Sequence, residues 1–331
     1  MIADVIRNTV AVLKQVRSVV LASHVNPDGD AIGSLLALTH ALNQIGIATE
    51  PILVDGVPEI YRWIPGAELI QTEPTQSQFD AGIVCDAGAL IRIGSSLVPL
   101  FESVPILIDI DHHVADGTFG AYQIVDAKRA STAELVYDLI LEMERAFAKP
   151  LLTPEIAQCL MVGIVTDTGS FKYPNVTPQT LAVAAKLTEL GGHPAPINEQ
   201  VYENRSYANV KLLGRALEAL QRSDDGRVAW SSISAQDFAE FGATDEETEG
   251  IVSQIRAVRG VDVAIFFREI PGGKVRISLR GRDGVSDVNK IANVFGGGGH
   301  RLAAGCSLEP PLGSVVVAVV AEAKRQLEAS Q

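Results

Sequence analysis

The sequence predicts an α/β protein: a mostly parallel-sheet N-terminal domain joined to a smaller α/β C-terminal domain. Three observations carry that expectation. Short β-branched apolar runs alternate with stretches of helical period, the pattern of strand–helix–strand units. Several runs end on Asp or His, which suits the mouth at strand C-termini where α/β sheets bind ligands. The chain has 331 residues, room for two ordinary domains, and Gly191-Gly192-His193-Pro194-Ala195-Pro196 breaks it where a division is expected. The expected limits are 1–192 for the first domain, 193–222 for a helical linker and 223–331 for the second domain.

The elements follow in order. Ile2, Val5, Ile6, Thr9, Val10, Leu13 and Val16 recur at helical spacing and give an N-terminal amphipathic helix. Val19–Ala22 is the first strand, and it runs into Ser23-His24-Val25-Asn26-Pro27-Asp28-Gly29-Asp30. A helix from Ala31 to Ile45, stopped by Gly46, leads out. His40 lies inside that helix and reads as structural. Ala48–Val54 is a second strand, and Val57–Pro65 a loop with a short helix. The run before Asp86 is a third strand, and Pro105–Ile110 a further one ending in Asp111-His112-His113. Helices are expected over 130–147, 153–164 and 177–190, with Asp167 in a Thr/Gly turn after the second. His193 reads as a capping or linker residue, and one or two connecting helices follow to Gln221. In the second domain, 227–233, 261–270 and 274–280 read as strands, with a hairpin turn at Pro271-Gly272-Gly273. Asp245–Glu249 reads as the solvated start of a helix, with acids at its N-terminus. A helix around Ile291 and Val294 breaks at Gly296-Gly297-Gly298-Gly299-His300-Arg301, and a strand (302–308) and a helix (315–327) finish the chain.

Composition narrows the function classes. Hydrophobic content of 47% with 20% charged residues describes a globular chain. Aromatic content of 5% offers little for broad base stacking. A net charge of −13 argues against a basic groove tracking long nucleic acid, so an anionic substrate is expected to be small and locally held. Cys85, Cys159 and Cys306 are isolated and form neither a disulfide framework nor a Cys-x-x-Cys site. Free buried thiols fit a reducing cytoplasm. Asp4, Arg7, Lys14 and Arg17 interrupt the apolar residues of the N-terminus, which therefore lacks a signal-peptide layout. No stretch approaches the ~20 apolar residues that span a bilayer, and no membrane association is expected.

Four segments of the first domain offer metal-compatible groups: His24/Asp28/Asp30, Asp86, Asp111/His112/His113 and Asp167. Each alone has a bland reading, such as a polar turn or a helix N-cap. Together they suit two cations sharing a bridging carboxylate. Such a pair clamps an in-line displacement at phosphorus and activates a water. Carboxylates with some imidazole favour Mn²⁺ or Mg²⁺ over thiolate-preferring metals. In the second domain, the glycine run can converge backbone N–H groups on an anion, with Arg280, His300 and Arg301 flanking it.

These residues resemble the DHH phosphoesterase superfamily. His-x-x-x-Asp-x-Asp-Ala-x-Gly-Ser, Val-Cys-Asp, Asp-His-His and Thr-Asp-Thr-Gly match its four motifs in order. Ser-Leu-Arg and Gly-Gly-Gly-Gly-His-x-x-Ala-Ala-Gly match its associated C-terminal domain. The two-domain length without further modules looks most like the oligoribonuclease/phosphoadenosine-phosphate phosphatase branch. The resemblance implies one metal on His24, Asp28 and Asp86, and a second on Asp30, Asp86, His112 and Asp167. Asp111 would orient His112, and His113 would contact the scissile phosphate. Arg280, Gly297, Gly298, Gly299, His300 and Arg301 would bind the nucleotide's other phosphate or base, with the active site in the cleft between the domains. Two divalent ions are implied, Mn²⁺ first and Mg²⁺ or Co²⁺ as substitutes. The implied substrates are very short single-stranded RNAs, cut to mononucleotides, and 3′-phosphoadenosine 5′-phosphate, converted to AMP. Long duplex nucleic acid is not expected as a partner, and a homodimer is compatible with the pattern. Asp116 stands where the family often has Asn, and Lys172 where it often has Arg. The competing expectations are a cyclic- or linear-dinucleotide phosphodiesterase, a RecJ-like single-strand exonuclease, and a nucleotide sensor without turnover.

Overall fold

A computed structural model describes residues 2–113, 119–282 and 284–329, apart from the side chains of His300 and Ala329. The chain divides into two compact units, residues 1–204 and 205–331. The stretch expected as a linker is therefore split: its first helix packs with the first unit and its second opens the other.

The first unit is built on a five-stranded sheet. β1 (Ser18–Ala22), β2 (Ala48–Ile52), β3 (Ala81–Cys85), β4 (Leu107–Asp111) and β5 (Tyr122–Val125) stand in the order β2-β1-β3-β4-β5. Every pairing is parallel. Strand alternation sorts the side chains. Val19, Leu21, Ile83, Ile108 and Ile110 face a core made with α1 (Ile2–Leu13), α2 (Gly29–Gln44), α4 (Thr132–Phe147) and α5 (Pro154–Asp167). Val20, Ala22 and Val84 face a smaller core with α3 (Val98–Ser103) and Phe79. α6 (Pro178–Glu189) and α7 (Pro194–Asn198) complete the unit. The chain steps from β1 outward to β2 and returns to β3 on the other side of β1. That reversal opens a crevice beyond the C-termini of β1 and β3, the place where open α/β sheets bind ligands. His24 follows β1 and Asp86 follows β3 at this point.

The second unit carries a mixed six-stranded sheet between two helical layers. β6 (Gln221–Arg222), β7 (Val228–Ile233), β8 (Val263–Glu269), β9 (Val275–Gly281), β10 (Gly298–His300) and β11 (Ala303–Leu308) stand in the order β10-β11-β9-β8-β7-β6. α8 (Tyr207–Glu218), α9 (Ala235–Phe241) and α10 (Ile251–Arg256) cover one face. α11 (Val288–Val294) and α12 (Leu312–Ala329) cover the other.

Three readings of the sequence change here. β5 was not foreseen: it is a four-residue edge strand, mostly half-buried, and shows no clear alternation. The glycine run is not an open loop. Gly298–His300 pairs antiparallel with Ala303–Gly305, and a Cβ on Gly297 would stand 2.2 Å from the Gly305 carbonyl oxygen. Close backbone approach therefore requires glycine there. The acids from Asp245 form a single 3₁₀ turn instead of a longer solvated helix, and Asp245 ion-pairs Arg268 and Arg276.

Candidate metal centre

The crevice of the first unit gathers candidate ligands from five elements. His24 lies beyond β1, and its Nδ1 is 2.8 Å from the Val25 carbonyl. That contact fixes the tautomer and leaves Nε2 for a ligand. Asp28 caps α2, accepting the N–H groups of Asp30 at 3.0 Å and Ala31 at 3.1 Å. Asp30, fully buried in the first turn of α2, reaches the start of α4. It accepts Thr132 N at 2.6 Å and Ala133 N at 3.0 Å. Ser131 is the N-cap of α4, yet its side chain makes no cap hydrogen bond. A carboxylate 102 positions away does that work.

Asp86 joins the halves. Its backbone is left-handed, with φ of 58°, which Asp and Asn adopt more readily than other non-glycine residues. It is 1% exposed. Its Oδ2 lies 3.7 Å from His24 Nε2, and its Oδ1 lies 3.6 Å from His112 Nε2. Asp86 thus belongs to two ligand groups, one with His24 and Asp28 and one with His112 and His113, while His112 also groups with Asp30 and Asp167. The Thr132 hydroxyl donates to Asp86 Oδ1 at 3.0 Å. Asp167 ends α5, a turn later than the sequence suggested, and its Oδ2 is 3.0 Å from His112 Nε2.

His112 tests whether these residues fit a cation. Its Nε2 is buried among the carboxylates of Asp30, Asp86 and Asp167 but makes no hydrogen bond. An orphaned ring nitrogen facing three carboxylates suits a metal better than a proton. The charges point the same way. Burial, reinforced by Asp167, pushes the Asp30 carboxyl well above the carboxylate range, and burial with Asp30 does the same to Asp86. Burial works against the charged form of His112, but Asp167 and Asp30 outweigh it and lift the ring to about 9. Protons crowd where positive charge is wanted, and the donor set fits divalent ions.

Asp111 and His113 stand beside this cluster. Asp111 Oδ1 receives His113 Nδ1 at 2.7 Å and the His113 backbone N at 2.8 Å, and Oδ2 receives Gly88 N. Burial raises the Asp111 carboxyl, but the His113 hydrogen bonds prevail and hold it low. Asp111 thus orients His113; the expectation that it orients His112 changes, because His112 Nδ1 turns toward the Arg129 carbonyl at 3.4 Å.

The helices holding Asp30 and Asp167 meet at backbone distance. A Cβ on Gly33 would lie 2.4 Å from the Cys159 carbonyl oxygen, and one on Gly163 would lie 2.4 Å from Asp30 Oδ1. Sequence reasoning gave no role to Gly33, which lies within a quoted motif, or to Gly163 and Thr132. It also missed Arg129, whose guanidinium holds Asp138 and lies 3.4 Å from the fully buried Glu134.

His40 Nε2 lies 3.0 Å from the Pro65 carbonyl, a packing contact. In the second unit, Arg280 on β9 and His300 on β10 are both register partners of Ala303 on the strand between them. Arg301 is exposed in the turn that follows. The His300 side chain and Asp116 lie outside the described residues. Among the described residues, no helix is long and apolar enough to cross a membrane.

The DHH family, N-terminal domain, matches residues 18–164, and the DHHA1 domain matches residues 225–329. A bifunctional oligoribonuclease and PAP phosphatase NrnA from Thermus thermophilus is 34% identical over 304 residues, covering 90% of this chain and 86% of that one. The protein of the same name from Bacillus subtilis is 30% identical over 292 residues, 88% of this chain and 89% of its own. Among solved structures, an exopolyphosphatase-related protein from Bacteroides fragilis matches with a TM-score of 0.88 at 27% identity, over 98% of this chain and 96% of that one. The chain belongs to the DHH phosphoesterase family.

Proposed function

We propose that this protein is a cytoplasmic phosphoesterase that cuts very short oligoribonucleotides to mononucleotides and removes the 3′-phosphate of 3′-phosphoadenosine 5′-phosphate. Asp86 carries the reading, with one oxygen toward His24 and the other toward His112. One divalent ion would be held by His24, Asp28 and Asp86, and a second by Asp30, Asp86, His112 and Asp167; Mn²⁺ suits this mixture of carboxylate and imidazole. When bound, the ions supply Lewis-acid stabilisation of the phosphoryl oxygens and lower the pKa of a water.

The protein's own residues do the rest. Asp111, held anionic, fixes the His113 ring through Nδ1 and leaves Nε2 as the ring nitrogen available to a phosphoryl oxygen. Thr132 keeps Asp30 and Asp86 aimed inward. Arg280, Arg301, His300 and the Gly297–Gly299 backbone are the residues proposed to take the nucleotide's other phosphate or base. The relatives named above support the substrate class, and the charge of −13 suits small substrates.

The test is a side-by-side assay with Mn²⁺. It uses 5′-phosphorylated RNAs of two to five nucleotides, a ~24-mer, 3′-phosphoadenosine 5′-phosphate and cyclic di-AMP. Fast turnover of the short RNAs and the bisphosphate is expected, with the long strand slow. Preference for the long strand or the cyclic substrate would overturn the substrate assignment. Tight nucleotide binding without turnover would make the protein a sensor.

A further inference from the structure

Arg92 lies in a 3₁₀ turn, Leu90–Ile93, shortly after Asp86. The turn is tied to both sides of the metal centre. Its carbonyl accepts Val25 N at 2.7 Å, and the Val25 carbonyl in turn holds His24 Nδ1 at 2.8 Å. On the other side, Arg92 Nη1 lies 3.4 Å from where a Cβ on Gly88 would stand. Gly88 has a φ of 69° and donates its N–H to Asp111, which orients His113. A side chain at position 88 would thus meet the guanidinium and carry a strained backbone.

The charge on Arg92 is unspent. Asp28, Asp30, Asp86, Asp111 and Asp167 crowd this end of the sheet. Yet among the described residues the half-buried guanidinium makes no ion pair and no side-chain hydrogen bond. The Gly88 Cβ position that lies 3.4 Å from Nη1 also lies 4.0 Å from Asp111 Oδ2, so the guanidinium and that carboxylate flank the same spot without pairing. The guanidinium's planar fork of donors matches phosphate oxygens, which it can bind bidentately.

We propose that Arg92 contacts the substrate's scissile phosphoryl group, binding its non-bridging oxygens from the Gly88 side while His113 binds from the other side of Asp111. The inference rests on the phosphoesterase reading above. The test compares wild type, Arg92→Gln and Arg92→Lys, each with Mn²⁺. It measures kcat and KM on 3′-phosphoadenosine 5′-phosphate, the affinity for inorganic phosphate and the affinity for Mn²⁺ by calorimetry. Arg92→Gln should lose about 100- to 1000-fold in kcat/KM and at least about tenfold in phosphate affinity, the scale expected for losing a charged phosphate contact. Mn²⁺ affinity should stay within about twofold, because no ligand atom is removed. Arg92→Lys should recover part of the loss, since it keeps the charge but not the fork, and it carries the test if the Gln variant does not fold. Wild-type kcat/KM and phosphate affinity in Arg92→Gln would overturn the proposal. So would a loss of Mn²⁺ affinity as large as the loss of activity, which would make Arg92 a support for the ligand loops. If wild type hydrolyses none of the substrates but Arg92→Gln still weakens phosphate binding, the phosphoesterase reading fails and the phosphate contact stands.

Discussion

Replacing Asp86 by Asn should separate the two roles of that residue. In the metal-free protein, burial and the Asp30 charge keep the Asp86 carboxyl protonated well above the carboxylate range. Asn is nearly isosteric with the protonated acid. Its amide oxygen can still accept the Thr132 hydroxyl, and it tolerates the φ of 58°. Metal-free stability should therefore change by no more than about 1 kcal/mol. Cation binding makes the opposite demand, because Asp86 must ionise. Oxygens of Asp28 and Asp86 lie within 4.8 Å of one another. Two unit charges at that separation repel by about 3.5 kcal/mol at an effective dielectric of 20. A divalent ion offsets that repulsion, and an amide offers it no charge to neutralise. At a free Mn²⁺ concentration of about 100 times Kd, wild type should gain about 2.7 kcal/mol, or about 5–10 °C in Tm for a domain of this size. The Asn variant should gain less than about a quarter of that shift, and hydrolysis should fall at least about 1000-fold, equivalent to ~4 kcal/mol of barrier. The assay is thermal unfolding after chelation, with and without Mn²⁺, beside phosphate release from 3′-phosphoadenosine 5′-phosphate. A full thermal shift in the variant, or a metal-free loss of several kcal/mol, would refute the reasoning.

Other substitutions probe the supports. Gly163→Ala would drive a Cβ to 2.4 Å from Asp30 Oδ1; it should cost about 1–3 kcal/mol and lower Mn²⁺ affinity with every ligand intact. Gly214→Ala, on a helix surface with nothing within 4 Å, should stabilise by about 0.5–1 kcal/mol in a urea titration. Arg129→Met leaves Glu134 and Asp138 without their cation and should cost about 3–5 kcal/mol, so an unfolding free energy within ~1 kcal/mol of wild type would contradict the ion-pair reading. Asp109 is 4% exposed on β4, and burial, helped by the Asp111 charge, raises it from 3.8 to about 7. Its stabilising contribution is complete below the unfolded pKa and is lost as pH rises through the folded one, by up to about 4 kcal/mol. In the metal-free state, the stability of Asp109→Asn relative to wild type should therefore rise between about pH 4 and 7 and level off above; parallel pH profiles would exclude this role.

The candidate ligands His24, Asp86 and His112 were legible because each sits where a short apolar run stops. Val19–Ala22 before His24 and the run before Asp86 announce a strand end, and a strand end in a parallel sheet faces the crevice. What supports the ligands was not legible, because it depends on meetings between distant segments. Nothing near Thr132 indicates that its N–H serves Asp30. Arg92 lies in a turn too short for periodicity to expose, and β5 is a half-buried edge strand of four residues. The glycine run was read from its flanking His300, Arg301 and Arg280 and from its motif. Its strand pairing follows from the small residues of β11 opposite, and that register cannot be read locally.

The glycine contact between α2 and α5 would act as a ruler for ionic radius. With Gly33 against the Cys159 carbonyl and Gly163 against Asp30, the two helices that carry Asp30 and Asp167 are in close contact. Small ions such as Mg²⁺ hold oxygens at about 2.0–2.1 Å, whereas Ca²⁺ prefers about 2.3–2.6 Å and more ligands. A helix pair packed this closely would favour the smaller ions over calcium by size, a selectivity that the chemistry of the candidate ligands alone does not provide.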